Sequence, residues 1–215
     1  MTRELSAYHR QIAADNRAAI LAAATDLFLD LGYDRSSLTQ VAARAGVSKA
    51  TLFKQFPTKA ELFEAMVLAA GDTARTERLS PPSGEFQAGL VSLGMAYAEL
   101  LTRPRMTDLI RAVITESERF PELREQTFDF GRLPVLHALR EFLEAADRSG
   151  EAHVDDFDVA ASQFLGMIAT VVFWPRLVHG GWSLTDDETR RTVDEAARTI
   201  VARYGAAVPP SASPH

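Results

Sequence analysis

The 215-residue chain has no cysteine, 23 Lys+Arg against 29 Asp+Glu, and a formal net charge of -6. Zero cysteine excludes disulfide scaffolds, thiolate metal sites, iron–sulfur clusters and cysteine nucleophiles. A hydrophobic fraction of 47% with 24% charged residues excludes a disordered chain, and the acidic total, taken alone, argues against a nucleic-acid partner.

Residues 1–14 include Arg3, Glu4, His9 and Arg10 and lack the apolar stretch of an export signal, so they are expected as a flexible arm of a cytoplasmic protein. Helical spacing begins with Ile20, Leu21, Ala24, Leu27, Phe28 and Leu31. Gly32 stops that helix at the position where a positive φ carries no steric cost. Ser37 and Gln40 form a capping box for a short second helix that turns Val41 and Ala42 inward and ends at Gly46. Ser48 caps a third helix, ended by Pro57, and Thr58 with Glu61 starts a fourth that runs to about Leu79.

The run Ser-Pro-Pro-Ser-Gly at 80–84 cannot be helical and reads as a linker. Beyond it the spacing predicts helices at about 85–102, 106–119, 123–147, 156–179 and 185–204. Pro134 and Pro175 fall inside two of these and should kink or split them. Asp155 or Asp156 is expected as an N-cap, Thr185 with Glu188 as a capping box, and 205–215 as a disordered tail. No period-2 alternation with hairpin turns occurs, so the fold class is all-α. The longest apolar stretch, Phe164 to Trp174, is short of the roughly 20 residues a membrane span needs, and no membrane association is expected.

The charge is unevenly placed. From Arg35 to Ala60 there are five basic residues (Arg35, Arg44, Lys49, Lys54, Lys59) and no acidic one, whereas residues 71–215 hold 15 basic and 22 acidic residues. A basic stretch is often only a solvated helix face. Here it coincides with two short helices joined by the turn Gly46-Val47-Ser48, the pattern of a helix-turn-helix whose second helix lies in the major groove. With Val47, Leu52 and Phe56 turned inward, Lys49, Ala50, Phe53 and Lys54 face outward, and Thr51 and Gln55 flank them.

The run Ser37 to Leu62, with Ala-Gly-Val-Ser-Lys-Ala-Thr-Leu-Phe-Lys-Gln-Phe-Pro-Thr-Lys-Ala-Glu-Leu at its heart, resembles the DNA-binding signature of the TetR/AcrR family of bacterial transcriptional regulators. The resemblance covers about Asn16 to Val67. It implies an all-helical homodimeric regulator, usually a repressor. A helix-turn-helix domain at 15–57 and a connecting helix at 58–79 would lead to a ligand-binding and dimerisation domain at 80–204. Ala50 stands where the family commonly has glycine, and Phe53 where it commonly has tyrosine. Carried over by position, Ser37, Ser48, Thr51 and Lys59 would hold phosphates. Lys49, Ala50, Phe53, Lys54 and Gln55 would face bases. Plain capping is the alternative role for Ser37 and Ser48, and core packing for Phe53 and Phe56.

The segments Arg111–Leu123 and Asp158–Met167 resemble the C-terminal region of a subset of the same family. The resemblance implies that the last two long helices pair with their copies in a homodimer. It also implies a double-stranded DNA operator and a small-molecule effector as partners. The apolar supply points to an apolar or aromatic effector. Met95, Tyr97, Phe128, Phe130, His137, Phe142, Phe164, Met167 and Trp174 are the candidate pocket residues, with core packing the alternative for each. An enzyme is not expected, nor a cofactor. There is no glycine-rich phosphate loop, no Gly-x-Ser-x-Gly elbow and no His-x-x-x-His pair, and acidic pairs such as Glu116 with Glu118 read as solvated surface. The alternatives are a helical ligand-binding or scaffold protein whose helix-turn-helix does not meet DNA, a helical-bundle enzyme using the acidic pairs with a metal or cofactor, and an activator in place of a repressor.

Overall fold

The computed structural model describes residues 2–71, 85–103, 105–121 and 134–206. The described residues form helices joined by turns, with a single isolated β-bridge, Ala152 to Gly205. The helices are α1 (Thr2–Leu31), α2 (Leu38–Arg44), α3 (Lys49–Gln55), α4 (Lys59–Gly71), α5 (Phe86–Leu101), α6 (Met106–Glu116), α7 (Pro134–Ser149), α8 (Phe157–Val172), α9 (Trp174–Val178) and α10 (Asp186–Tyr204). They fall into two compact units, Met1–Asp72 with Pro104–Phe130, and Thr73–Arg103 with Gly131–His215.

Three sequence expectations change. The arm at 1–14 is helical from Thr2 onward, continuous with α1. α6 groups with the N-terminal helices and not with the C-terminal domain, because Leu109 and Val113 bury themselves in the first core. The helix expected at 156–179 is two helices, broken at Phe173 so that Pro175 lies in the first turn of α9, where its missing N–H costs nothing. The linker at 80–84 and most of the C-terminal tail lie outside the described residues.

The first unit is built on the apolar stripe of α1. Ile20, Ala24, Leu27 and Phe28 pack with Val41 and Ala42 of α2, Leu52 of α3, Leu62, Phe63 and Met66 of α4, and Leu109 and Val113 of α6. Phe28, Tyr33 and Phe63 form a ring cluster with centroids 5.5 to 5.6 Å apart, and Phe120 adds an edge contact to Tyr33 at 4.9 Å. Such pairs contribute about 0.5–1.5 kcal/mol each beyond their burial.

In the second unit α5 packs against α7, α8 and α10. Its two glycines make that possible. A Cβ at Gly89 would lie 2.2 Å from the Phe142 ring, and one at Gly94 would lie 2.6 Å from Val193 and 2.9 Å from Phe164. The far end of the unit is tied by His153 N–H to Tyr204 O at 2.7 Å and Ala206 N–H to Glu151 O at 3.0 Å. No helix among the described residues is long and apolar enough to cross a membrane.

Candidate nucleic-acid interface

α2 and α3 owe their short length to their ends. Ser37 accepts from the Gln40 amide at 3.2 Å while its own amide donates to Gln40 Oε1 at 2.8 Å, the full capping box. At the other end Gly46 has φ +68, its N–H reaches Ala43 O, and the Val47 N–H reaches Ala42 O at 3.1 Å. This double bond pattern around a left-handed residue is a Schellman stop. Ser48 follows at once, and its side chain accepts from the Thr51 amide at 3.1 Å and starts α3. The turn is therefore fixed at both sides by hydrogen bonds, and α3 is held in one orientation against α1 and α2.

Burial sorts α3 cleanly. Leu52 and Phe56 are buried, at 0% and 2% exposure, and Val47 is half-buried. Lys49, Ala50, Phe53 and Lys54 are exposed, with Thr51 and Gln55 at the margins. Phe53, at 45% exposure, is not a core residue, whereas Phe56 is. An apolar ring held in solvent on such a helix can pack on sugar or a thymine methyl.

The five basic residues of the window do different things. Arg35 Nε donates to Leu31 O at 2.9 Å and covers the end of α1. Arg44 lies 3.8 Å from Asp26 and 3.9 Å from Asp30. Lys59 Nζ donates to Tyr33 O at 2.8 Å and Ser36 O at 3.1 Å, and sits 4.2 Å from the centre of the Tyr33 ring. Its ammonium thus ties the α1–α2 loop to the start of α4, and a phosphate would have to displace these bonds. Lys49 and Lys54 are exposed and, among the described residues, without an ion-pair partner. They are the two cations of the window that α3 presents outward.

One neighbour is not legible in the sequence. Arg17 of α1 places its guanidinium 4.6 Å from the centroid of Phe56, at the C-terminal end of α3. The two residues are far apart along the chain, so no local pattern joins them. Arg105, in left-handed conformation, bonds Asp26, and that bond, with the charge of Arg44, holds the Asp26 carboxyl below its usual range.

The chain's residues 20–66 match the family described as "Bacterial regulatory proteins, tetR family", and residues 88–206 match "AefR-like transcriptional repressor, C-terminal domain". The chain belongs to the TetR family. A TetR-named DNA-binding transcriptional repressor of Mycobacteroides abscessus is 31% identical over 86% of this chain and 93% of that protein. The regulator YdeS of Bacillus subtilis is 30% identical over 86% of this chain and 89% of its own. Among solved structures, a TetR-family regulator from Mesorhizobium loti superposes with a TM-score of 0.75 at 25% identity, covering 90% of this chain and 98% of that one. A protein named the flavonoid-responsive regulator FrrA gives 0.71 at 27%, covering 92% and 98%. This TetR-family protein is a DNA-binding transcriptional regulator and not an enzyme.

The acidic residues at the start of α8 belong to the regulator's fold. Asp156 is the N-cap of α8, accepting from the amides of Asp158 and Val159 at 3.0 Å, and Asp155 faces Arg203 at 3.4 Å. The candidate ligand residues do not converge. Phe164 and Tyr97 are buried in the second core, and burial pushes the Tyr97 phenol up to about 12. Phe142 stacks on Phe86 at 5.8 Å, while His137 lies exposed 3.8 Å from Glu141 and Trp174 is exposed at 54%. Phe128 and Phe130 lie outside the described residues. Met95 and Met167 do line recesses, and these are two different ones.

Proposed function

We propose that the chain is a homodimeric cytoplasmic repressor that reads a palindromic operator with α3 and is released by a small molecule. One observation carries the DNA-reading assignment: Lys49 and Lys54 stand exposed, with no ion-pair partner among the described residues, on a helix whose opposite face is fully buried. Lysine can donate to guanine O6 and N7, and Gln55 at the margin can pair with adenine. Ser37, Ser48 and Thr51 present hydroxyls and helix N-terminal amides to phosphates. The Lys59 cation is assigned instead to the fold, so its helix start, not its ammonium, would face a phosphate.

Dimerisation is supported by the outer face of α8. Val159, Gly166 and Val171 are exposed there, Trp174 is exposed at the start of α9, and a groove of about 330 Å³ lined by Met167, Val171, Arg191, Glu195 and Thr199 runs between α8 and α10. A second copy would cover that apolar surface and set two recognition helices about 34 Å apart, one turn of duplex.

For the effector, the second unit offers a recess of about 480 Å³ lined by Met95, Glu99, Thr102, Arg176, Leu184 and Thr189. Its mixed lining favours a ligand with an apolar or aromatic body and hydroxyl or carboxylate groups. The flavonoid response in FrrA's name points to the same chemistry, a hydroxylated aromatic. The test of the whole reading is a duplex selected by this chain from a random-sequence pool. Lys49→Glu with Lys54→Glu should abolish binding to it with the helical content unchanged. A folded double variant that still binds would favour a scaffold role. Addition of a panel of flavonoids to the wild-type complex should release DNA if the effector class is right, and an unaltered complex would reject that class.

A further inference from the structure

We infer that Phe53 and Ala50 form an apolar patch that selects a thymine in each operator half-site through its C5-methyl group. The inference rests on α3 being the reading helix and adds which base the middle of that helix takes. Lys49, Ala50, Phe53 and Lys54 of α3 are exposed, Thr51 and Gln55 are half-buried, and Leu52 is buried. At about 100° per residue, the exposed side chains follow one another around the helix in the order Lys49, Phe53, Ala50, Lys54. The two apolar groups therefore occupy the middle of the exposed arc, and the two cations occupy its margins.

A surface that only had to attract phosphates would not hold a phenyl ring at its centre. Phe53 is 45% exposed, while Leu52 and Phe56, at 0% and 2%, already fill the inner side of the helix. The ring has no polar atom with which to meet a phosphate oxygen or the hydrogen-bonding edge of a base. In the major groove one base alone adds an apolar group to that edge, the methyl of thymine. Ala50 stands one turn before Phe53 on the same face, so its methyl and the ring make a joint apolar seat for such a group. The same seat discriminates against other bases. An amino group of cytosine or adenine placed beneath it would lose its water and gain no partner. Lys49 and Lys54 on either side supply the charge complementarity that brings a polyanion to the patch. The Gly46 turn and the Ser48 cap hold α3 in the one orientation that presents it.

The experiment uses the full-length chain and the pool-selected duplex. Each thymine of the half-sites is replaced in turn by deoxyuridine, which differs only in lacking the methyl. At one position or more, wild type should lose about fourfold in affinity for each methyl removed. Phe53→Ala should bind the parent duplex no more tightly than wild type binds that uridine duplex. It should respond less than about twofold to the same replacement, and it should keep the wild-type thermal midpoint, since an exposed ring is no part of the core. Lys49→Ala should weaken both duplexes by the same factor and keep the methyl effect. Selected half-sites without thymine, a uridine scan with no effect on wild type, or a Phe53→Ala variant that keeps the full methyl effect would overturn the inference. Binding of the selected duplex by Lys49→Glu with Lys54→Glu would instead remove the reading-helix assignment beneath it. A flat scan with that double variant inactive overturns the patch alone.

Discussion

The three lysines of the chain fall within eleven residues, and the structure sets Lys59, bonded to backbone carbonyls, apart from the exposed Lys49 and Lys54. Lys59 is committed to backbone carbonyls, which a residue without its ammonium would leave poorly satisfied. Lys59→Met should therefore lower stability by about 1–3 kcal/mol, read as a lower thermal midpoint, while the salt slope of DNA binding by the folded protein stays the same. Lys49→Ala and Lys54→Ala should do the reverse, leaving the midpoint unchanged and each reducing the slope by up to about 0.9. A Lys59 variant with unchanged melting would contradict this division. The roles of Ser37, Ser48, Leu52 and Phe56 are legible in the sequence because capping and burial follow from local spacing. The inward turn of Lys59 and the Arg17–Phe56 contact are not, because both depend on where α1 lies beside α3 and α4, and no local pattern encodes that.

At the scale of elements, helix ends are legible where the punctuation is strong. Gly32, Gly46 and the Ser37, Ser48 and Thr185 caps mark ends that the structure reproduces. The place of α6 is hidden in the sequence because its apolar positions, Leu109 and Val113, give a face but not the core that the face joins. The candidate pocket residues that are described do not gather in one place, for a related reason. Aromatic composition cannot distinguish Phe164, buried at the centre of a core, from Trp174 on its surface. The α5 glycines yield a prediction of their own. Gly94→Ala should cost about 1–3 kcal/mol by overpacking against Val193 and Phe164, checked by chemical denaturation. Gly166→Ala, where an added Cβ meets nothing within 4 Å, should leave monomer stability equal or higher by up to about 1 kcal/mol. A bulky change there, Gly166→Arg, should instead dissociate the dimer in sedimentation experiments. An intact dimer would place the interface elsewhere.

At the scale of the whole molecule, the net charge of -6 divides into a basic reading head and an acidic remainder. On the proposed reading, the acidity of residues 71–215 would discourage wrapping of DNA around the rest of the chain and concentrate attraction on the head. The buried Tyr97 sets a further global property. Its phenol is held protonated to about 12, whereas an unfolded chain ionises near 10. The unfolded state therefore binds fewer protons between those values, and stability falls as pH rises through that window. Tyr97→Phe should flatten that alkaline loss in denaturation midpoints measured from about pH 9 to about pH 11.5, while leaving the acid side unchanged.

The proposal that a basic head within an acidic chain reads DNA through Lys49 and Lys54 is tested most directly by an anisotropy titration of the selected duplex. It is run at a series of salt concentrations, for wild type and for Lys49→Glu with Lys54→Glu. Wild type should show a steep linear fall of log affinity with log salt, approaching about -0.9 per phosphate contact, and the folded double variant should show no specific binding. Salt-independent binding by wild type, or retained affinity in the double variant, would contradict the account.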